Sequence, residues 1–124
     1  MVRDEYNDGL SAEDRVLLEG TFTRILDYLV SKNDREVPLA TIHSAKDLYD
    51  VMDLSVSDNG VDVETLLADI DAYLQHSVKT SHPHFLNPFW GGPPASSLAG
   101  EFISALTNTS MYTFENAPVA TLIE

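Results

Sequence analysis

Residues 81–124 read SHPHFLNPFWGGPPASSLAGEFISALTNTSMYTFENAPVATLIE and are the most unusual part of this 124-residue chain. They contain no lysine or arginine and only three of the twenty acidic residues, yet they hold six of the eleven aromatic residues and five of the six prolines. A soluble surface normally carries charged residues spread along it. We therefore expect residues 81–124 to be covered, either by another part of a larger protein or by a partner chain.

Proline and glycine divide this stretch into a loop and two helices. Proline at positions 83, 88, 93 and 94 fixes φ and removes a donor, which predicts an irregular, rigid loop. A helix is predicted over residues 96–107, where apolar side chains recur at core spacing: Leu98, Phe102, Ile103 and Leu106. A last helix is predicted to begin at Thr113 or Glu115. Because no cap follows it, we expect the chain to be the front end of a longer protein.

The first 80 residues carry all seven basic residues and predict three more helices. These cover residues 12–31, a short helix capped by Ser44, and residues 62–78, with a turn-rich break at residues 55–60. Ser11 and Asp14 form a capping-box pattern at the first start. The first helix has an apolar stripe that we interpret as core packing: Leu18, Phe22, Ile25 and Leu29. The prediction is an all-α chain with two segments, residues 1–80 and 81–124.

Composition excludes several classes of function. A formal charge of −13 disfavours nucleic acid and anionic membranes as partners, because both need clustered lysine and arginine. The chain has no cysteine, which excludes disulfides and thiolate chemistry and fits a reducing cytosol. No apolar run approaches the ~20 residues of a membrane span, and the polar, acidic start is unlike a secretory signal. A cytoplasmic location is predicted.

Residue types alone indicate no catalytic set. His76, His82 and His84 are close in sequence, but Pro83 separates two of them and no further ligand is spaced to complete a metal shell. We therefore predict no metal site and expect instead that His84 packs beside Phe85 or that its ring hydrogen-bonds a backbone group. Gly91-Gly92 is flanked by prolines rather than lying between a strand and a helix, so it does not predict a phosphate loop.

Two segments resemble the N-terminal portion of the pyridoxal-phosphate-dependent group II amino-acid decarboxylases, the family of glutamate, cysteine sulfinate and aromatic-amino-acid decarboxylases. HPHFLN at residues 82–87 is similar to HPRFFNQ of the glutamate branch, and NTSMYTFENAPVATLIE at residues 108–124 is similar to NTxMFTYEIAPVFVLME. The spacing between them also agrees. This specific part covers about a third of the chain, and residues 12–80 resemble the family only in helical layout and in the SVKT that precedes the histidine.

The resemblance implies a fold-type I enzyme, built as an intertwined homodimer in which N-terminal helices of each subunit wrap over the other. Residues 1–80 would be the dimer-wrapping segment, and residues 81–124 the substrate loop and first helices before the cofactor domain. By position, Asn87, Pro88 and Phe89 would face the side chain of the amino-acid substrate, and Tyr112 would border the pocket near the cofactor. The predicted substrate-binding residues are Asn87, Phe89 and Tyr112; plain packing of an aromatic loop is the alternative.

Two departures from the family limit these predictions. Pro88 stands where the glutamate branch has a glutamine, so the sequence does not predict which amino acid is bound. The cofactor chemistry also needs a Schiff-base lysine, an acid at the pyridinium nitrogen and a phosphate cradle. In the family these lie downstream, with the lysine preceded by histidine. This chain has Lys32, Lys46 and Lys79 and no His-Lys pair, so we expect it neither to bind the cofactor nor to react alone.

Two hypotheses of different classes follow. The first is an N-terminal segment of a decarboxylase that supplies dimer contacts and part of the substrate-pocket wall. The second is a stand-alone, non-enzymatic helical module that dimerises through residues 81–124. Both place Phe102 and Ile103 in an interface.

Overall fold

A computed structural model describes residues 9–41, 44–86, 89, 91–108 and 113–123. Those residues contain five helices and no strand, which confirms the all-helical prediction. The helices are α1 (Ala12–Ser31), α2 (Ala45–Val51), α3 (Val63–His76), α4 (Ala95–Thr107) and α5 (Pro118–Ile123). Within the same described ranges, no helix is both long enough and apolar enough to cross a membrane.

The first three helices begin at side-chain caps that are local in sequence. Ser11 accepts a hydrogen bond from the Asp14 N–H at 3.0 Å, and the Asp14 carboxylate accepts one from the Ser11 N–H at 3.2 Å. Ser44 and Asp47 form the same capping box at α2. Each box satisfies two backbone donors that the first turn leaves without a partner. The cap of α1, predicted from the Ser-x-x-Asp spacing, is confirmed.

Helices α1 and α3 form the one helix pair with extensive contact in the described part of the chain. Gly20 makes the approach close, since a Cβ built there would lie 2.9 Å from Cδ1 of Leu67. Beside it, Nε of Arg24 donates to Oδ1 of Asp71 at 2.8 Å, and one Arg24 N–H also donates to the Gly20 carbonyl at 3.2 Å. The two helices therefore approach closely at Gly20 and are joined there by one partly exposed ion pair.

The chain divides into two compact units, Met1–Gly91 and Gly92–Glu124. The division falls after the HPHF segment, because His82 and Lys79 are hydrogen-bonded to the connector that follows α1. The predicted division after residue 80 concerned roles in a larger protein, and those roles stay a prediction.

The described residues bury few apolar side chains. Among these described residues, Ala117 is the one hydrophobic residue whose side chain is buried. The predicted stripe on α1 is only half-covered: Ile25 and Leu29 are half-buried, whereas Leu18 and Phe22 are exposed. Further along α1, Val30 is 75% exposed. The α1 stripe is thus not completed by these residues as a closed core.

In the second unit, α4 ends and α5 begins at residues with distinctive backbone conformations. Asn108 caps α4 with φ of 41°, a left-handed conformation that asparagine tolerates better than most residues. Helix α5 begins at Pro118, later than the predicted Thr113 or Glu115. Residues 114–116 form a turn instead, closed by the Ala117 N–H on the Thr113 carbonyl at 3.2 Å. The reason is that proline favours the first helical position and disfavours α conformation in the residue before it.

Candidate functional site

His82 is the most constrained polar side chain of the HPHF segment. It is only 4% exposed, and its Nε2 lies 3.1 Å from the carbonyl oxygen of Asp34 and 3.0 Å from that of Val37. Its Nδ1 lies 3.1 Å from the backbone nitrogen of His84. We call this set of contacts the His82 bridge. It joins the start of the HPHF segment to residues more than forty positions earlier in the chain.

The partners of the ring fix its tautomer. Carbonyl oxygens only accept hydrogen bonds, so Nε2 must carry the hydrogen that the Asp34 and Val37 carbonyls share. A backbone N–H only donates, so Nδ1 must present a lone pair to His84. The ring of His82 is therefore the neutral imidazole with its hydrogen on Nε2.

Backbone hydrogen bonds reinforce the His82 bridge on both sides. The Lys79 N–H donates to the Leu39 carbonyl at 3.0 Å, and the Phe85 N–H donates to the His82 carbonyl at 2.8 Å. The Val37 N–H closes the partner turn on the Asp34 carbonyl at 3.2 Å. Two turns are thus held against each other by bonds that use both backbone and ring.

The predicted substrate-binding residues are only partly within the described structure. Asn87 and Tyr112 lie outside the described residues, as does Pro88. Phe89 lies in a turn and is 82% exposed within this chain. The structure therefore places one of the three predicted residues just after the bridged turn, and their joint contact with a substrate stays a prediction.

The histidines do not form a metal centre in the described part of the chain, where no group of three or more potential ligands comes together. The rings of His82 and His84 meet edge-on, with centroids 5.1 Å apart. Both Nε2 and Nδ1 of His82 are already committed to backbone groups. Sequence reasoning considered His82 only as a possible metal ligand and expected packing or a backbone hydrogen bond for His84; the long-range partners of His82 could not be read from the sequence.

An open groove of about 800 Å³ lies in the first unit, between α1, α3 and the segment after α2. Its lining is mainly apolar: Leu17, Leu18, Ile25, Met52, Leu54, Leu66, Ile70 and Tyr73. The same described lining includes Asp53 and Asp69 but no lysine, arginine or histidine. The groove is suited to apolar packing rather than to acid–base chemistry.

Among the residues that the structure describes, three side chains have shifted pKa values, and each shift has a local cause. The hydroxyl of Ser55 donates to Asp53 at 2.6 Å and, with the Ser55 N–H, lowers the pKa of that carboxyl. The Thr65 N–H at 2.7 Å does the same to the pKa of Asp62, the cap of α3. Burial, and then the phenol of Tyr73, raise the pKa of Tyr28. These shifts belong to caps, turns and helix packing, so they do not mark a catalytic pair.

The described lysines do not provide a cradle for a pyridoxal cofactor. Lys32 is only 8% exposed at the end of α1, Lys46 is exposed in the first turn of α2, and Lys79 is half-buried before the HPHF segment. Four cavities on the described residues have linings without a lysine. The lysines of the described residues therefore do not fit the cofactor. The burial of Lys32 had no signal in the sequence.

Comparison with known proteins identifies the family. Residues 45–124 match the model of the pyridoxal-dependent decarboxylase conserved domain, which is more than half of the chain and includes both segments that carried the resemblance. The chain belongs to this family of pyridoxal-phosphate-dependent decarboxylases, and the resemblance is confirmed.

Curated relatives agree along nearly the whole chain. Glutamate decarboxylase of Drosophila melanogaster is 37% identical over 112 residues, which are 90% of this chain and 22% of that protein. Acidic amino acid decarboxylase GADL1 of Xenopus tropicalis is 34% identical over 115 residues, covering 92% and 22% respectively. Cysteine sulfinic acid decarboxylase of Rattus norvegicus is 32% identical over 118 residues, covering 94% and 24%.

Solved structures show the same relationship. The crystal structure of mouse CSAD superposes with a TM-score of 0.83 at 31% identity, covering 89% of this chain and 23% of that one, and its apo form gives the same values. The chain thus spans between 22% and 24% of the length of the relatives that it matches.

Proposed function

We propose that this chain acts as the N-terminal part of a cytoplasmic, fold-type I pyridoxal-phosphate-dependent amino-acid decarboxylase. In this role it supplies part of the substrate-pocket wall and a subunit interface, and it is inactive alone. The observation that carries the proposal is the family match over residues 45–124, which runs through the bridged HPHF turn and Phe89. The reaction proposed for the whole enzyme is loss of the α-carboxylate of an amino acid, for which the cofactor, when bound, would supply an electron sink.

Exposed apolar side chains support the interface part of the proposal. On α1 and α4 these are Leu18, Phe22, Leu26, Val30, Ile103 and Leu106. Burying one leucine-sized side chain contributes about 1.5–3 kcal/mol, so covering several of them would contribute appreciably to assembly. In a homodimer, the first unit would pack its groove and the α1 stripe against the second subunit.

A chimeric enzyme tests the proposed role. Residues 12–124 of this chain would replace the aligned segment of Drosophila glutamate decarboxylase, and decarboxylation of glutamate would be measured with added pyridoxal phosphate. We expect an active, dimeric chimera, because the replaced segment supplies wall and interface rather than the cofactor lysine. A folded, cofactor-loaded dimer without activity on glutamate or cysteine sulfinate would contradict the proposal.

Two controls distinguish an effect on substrate binding from an effect on folding. In the active chimera, Phe89→Ala is expected to raise KM several-fold with a smaller change in kcat, because a wall residue binds rather than reacts. Phe114→Ala, at an exposed aromatic residue in a turn of the second unit, is the matched substitution and is expected to leave KM unchanged. Addition of pyridoxal phosphate to the 124-residue chain itself should give no Schiff-base absorbance.

The exposed apolar residues also favour the second hypothesis, a non-enzymatic module that dimerises through residues 81–124. Residues 102, 103 and 106 of α4 are exposed and apolar, as expected of a self-association surface. Solution mass distinguishes the two roles. One discrete dimer that resists dilution favours the module, whereas aggregation or segment exchange of the isolated chain favours a decarboxylase segment.

A further inference from the structure

The HPHF segment has no helix or strand of its own to hold it. Residues 77–86 contain bends and turns, and Pro83 within them removes one backbone donor. Phe89, the described residue of the proposed pocket wall, follows this segment. Its placement must therefore come from contacts that the segment makes with the rest of the first unit.

The side chain of His82 contacts residues far from it in sequence. The ring of His82 shares its Nε2 hydrogen between Asp34 and Val37, and its Nδ1 receives the His84 N–H. The Nε2 edge of the ring thus contacts the turn at Asp34–Val37, and the Nδ1 edge contacts the backbone of the HPHF turn itself. No other natural side chain offers both a donor and an acceptor at these two positions of a rigid ring.

We propose that His82 is a positioning residue, whose neutral imidazole sets the orientation of the pocket-wall segment relative to the end of α1. The role needs no contact between His82 and substrate. This inference rests on the proposed function for its consequence in catalysis, although the bridge itself is tested without any activity measurement.

The tautomer of the wild-type ring is the first test. Nitrogen-15 NMR of the 124-residue chain should show Nε2 protonated and Nδ1 unprotonated, with the Nε2 hydrogen exchanging slowly. A ring protonated on Nδ1, or an Nε2 hydrogen in fast exchange with water, would overturn the proposal. This measurement requires no substitution and is therefore independent of any folding defect in a variant.

Three substitutions then separate the ring from its surroundings. His82→Phe keeps the ring shape and removes both nitrogen contacts, so the His84, Phe85 and Lys79 amides should exchange about tenfold faster, as expected for loss of hydrogen bonds of ordinary strength. His82→Gln restores a hydrogen-bond donor near the position of Nε2. It should therefore restore slow exchange of the Lys79 amide more than that of the His84 amide. His84→Ala is the matched control, because it removes the neighbouring ring but keeps the N–H that Nδ1 accepts.

Trp90, the one tryptophan of the chain, reports on the segment beside Phe89. His82→Phe should shift its emission and increase its quenching by acrylamide, whereas His84→Ala should leave both near wild type. Unchanged exchange and emission in His82→Phe with helicity retained would refute a positioning role. If His82→Phe loses helicity, the decision passes to the tautomer measurement and to His82→Gln.

Failure of the proposal is distinguishable from failure of the proposed function. In an active chimera, His82→Phe should raise KM more than it lowers kcat. An intact bridge in an inactive chimera refutes the proposed function alone. An active chimera whose KM does not respond to His82→Phe refutes the positioning role alone.

Discussion

The side chain of Asp62 caps the start of α3 with a hydrogen bond that is stronger when its carboxylate is charged. Its carboxylate accepts the Thr65 N–H at 2.7 Å, and this bond holds the pKa of Asp62 below its ordinary value of 3.8. Because the folded pKa is the lower one, the stabilisation is fully present above the unfolded pKa. It is lost as pH falls through the folded pKa.

The corresponding prediction is that acid reduces the protection of one backbone amide from hydrogen exchange. Between about pH 6 and about pH 2.5, the protection of the Thr65 N–H, measured against the intrinsic exchange rate at each pH, should fall as the Asp62 carboxylate is protonated. Asp62→Asn keeps an acceptor at the cap without the titration, so that part of the pH dependence should disappear. Asp58→Asn, in the loop before α3, serves as the control. An unchanged pH profile in Asp62→Asn would contradict the assignment.

Gly20 provides a second prediction at the same scale. A methyl group there would meet the flexible end of Leu67 at 2.9 Å, which can move, and alanine favours helix by about 1 kcal/mol over glycine. Gly20→Ala should therefore change the free energy of unfolding little, whereas Gly20→Leu should separate α1 from α3 and lower it clearly. Denaturant unfolding followed by circular dichroism measures both.

Gly100→Ala is the matched control for Gly20. Glycine 100 lies inside α4, and a Cβ there would meet no atom of the described residues within 4 Å. Its replacement by alanine should increase the helicity of α4, with a gain of about 1 kcal/mol in helix propensity. Equal effects of Gly20→Leu and Gly100→Leu would show that close packing at Gly20 is not decisive.

At the scale of elements, α1 is the longest helix among the described residues. Its start depends on the capping box formed by Ser11 and Asp14. Ser11→Ala removes both the acceptor for the Asp14 N–H and the hydroxyl that donates to Asp14 at 2.7 Å. We expect a loss of about 1 kcal/mol, measured by thermal unfolding. Ser11→Asp retains a cap acceptor and should lose less. Equal losses in both variants would argue against capping as the cause.

Helix formation was predictable from sequence where its causes are local. The bounds of α1 and the cap of α2 follow from Ser-x-x-Asp boxes and apolar spacing within a few residues. The predicted start of α5, at Thr113 or Glu115, was wrong because proline favours the first helical position and the helix begins at Pro118. Short-range signals thus predict most of the helices.

The contacts between elements were not predictable in the same way. The His82 bridge joins residues separated by 45 and 48 positions, and Gly20 meets Leu67 from another helix. Such partners depend on how helices pack, which one sequence does not specify. The family could be recognised because HPHFLN and NTSMYT preserve residue types at fixed spacing. Asn87 and Tyr112 remain predicted site residues on that basis.

At the scale of the whole molecule, the interface is the property most open to test. Phe102 and Ile103 are 37% and 59% exposed on α4. Phe102→Asp should lower the solution mass of assemblies formed by this chain, because a buried carboxylate without a partner is strongly unfavourable. Ser97→Asp, at an exposed polar position of α4, should leave the mass unchanged. Light scattering over a dilution series measures this; a folded Phe102→Asp species of wild-type mass would exclude Phe102 from the interface.

The burial of Lys32 has a consequence for proteolysis. Trypsin must draw a lysine or arginine side chain into its own pocket, and Lys32 is only 8% exposed at the end of α1. Arg35, three positions later, is exposed in a turn. Under native conditions, cleavage after Arg35 should therefore precede cleavage after Lys32, and the order should reverse or vanish once the fold opens. Mass spectrometry of the first fragments would then serve as a gauge of native packing at the end of α1.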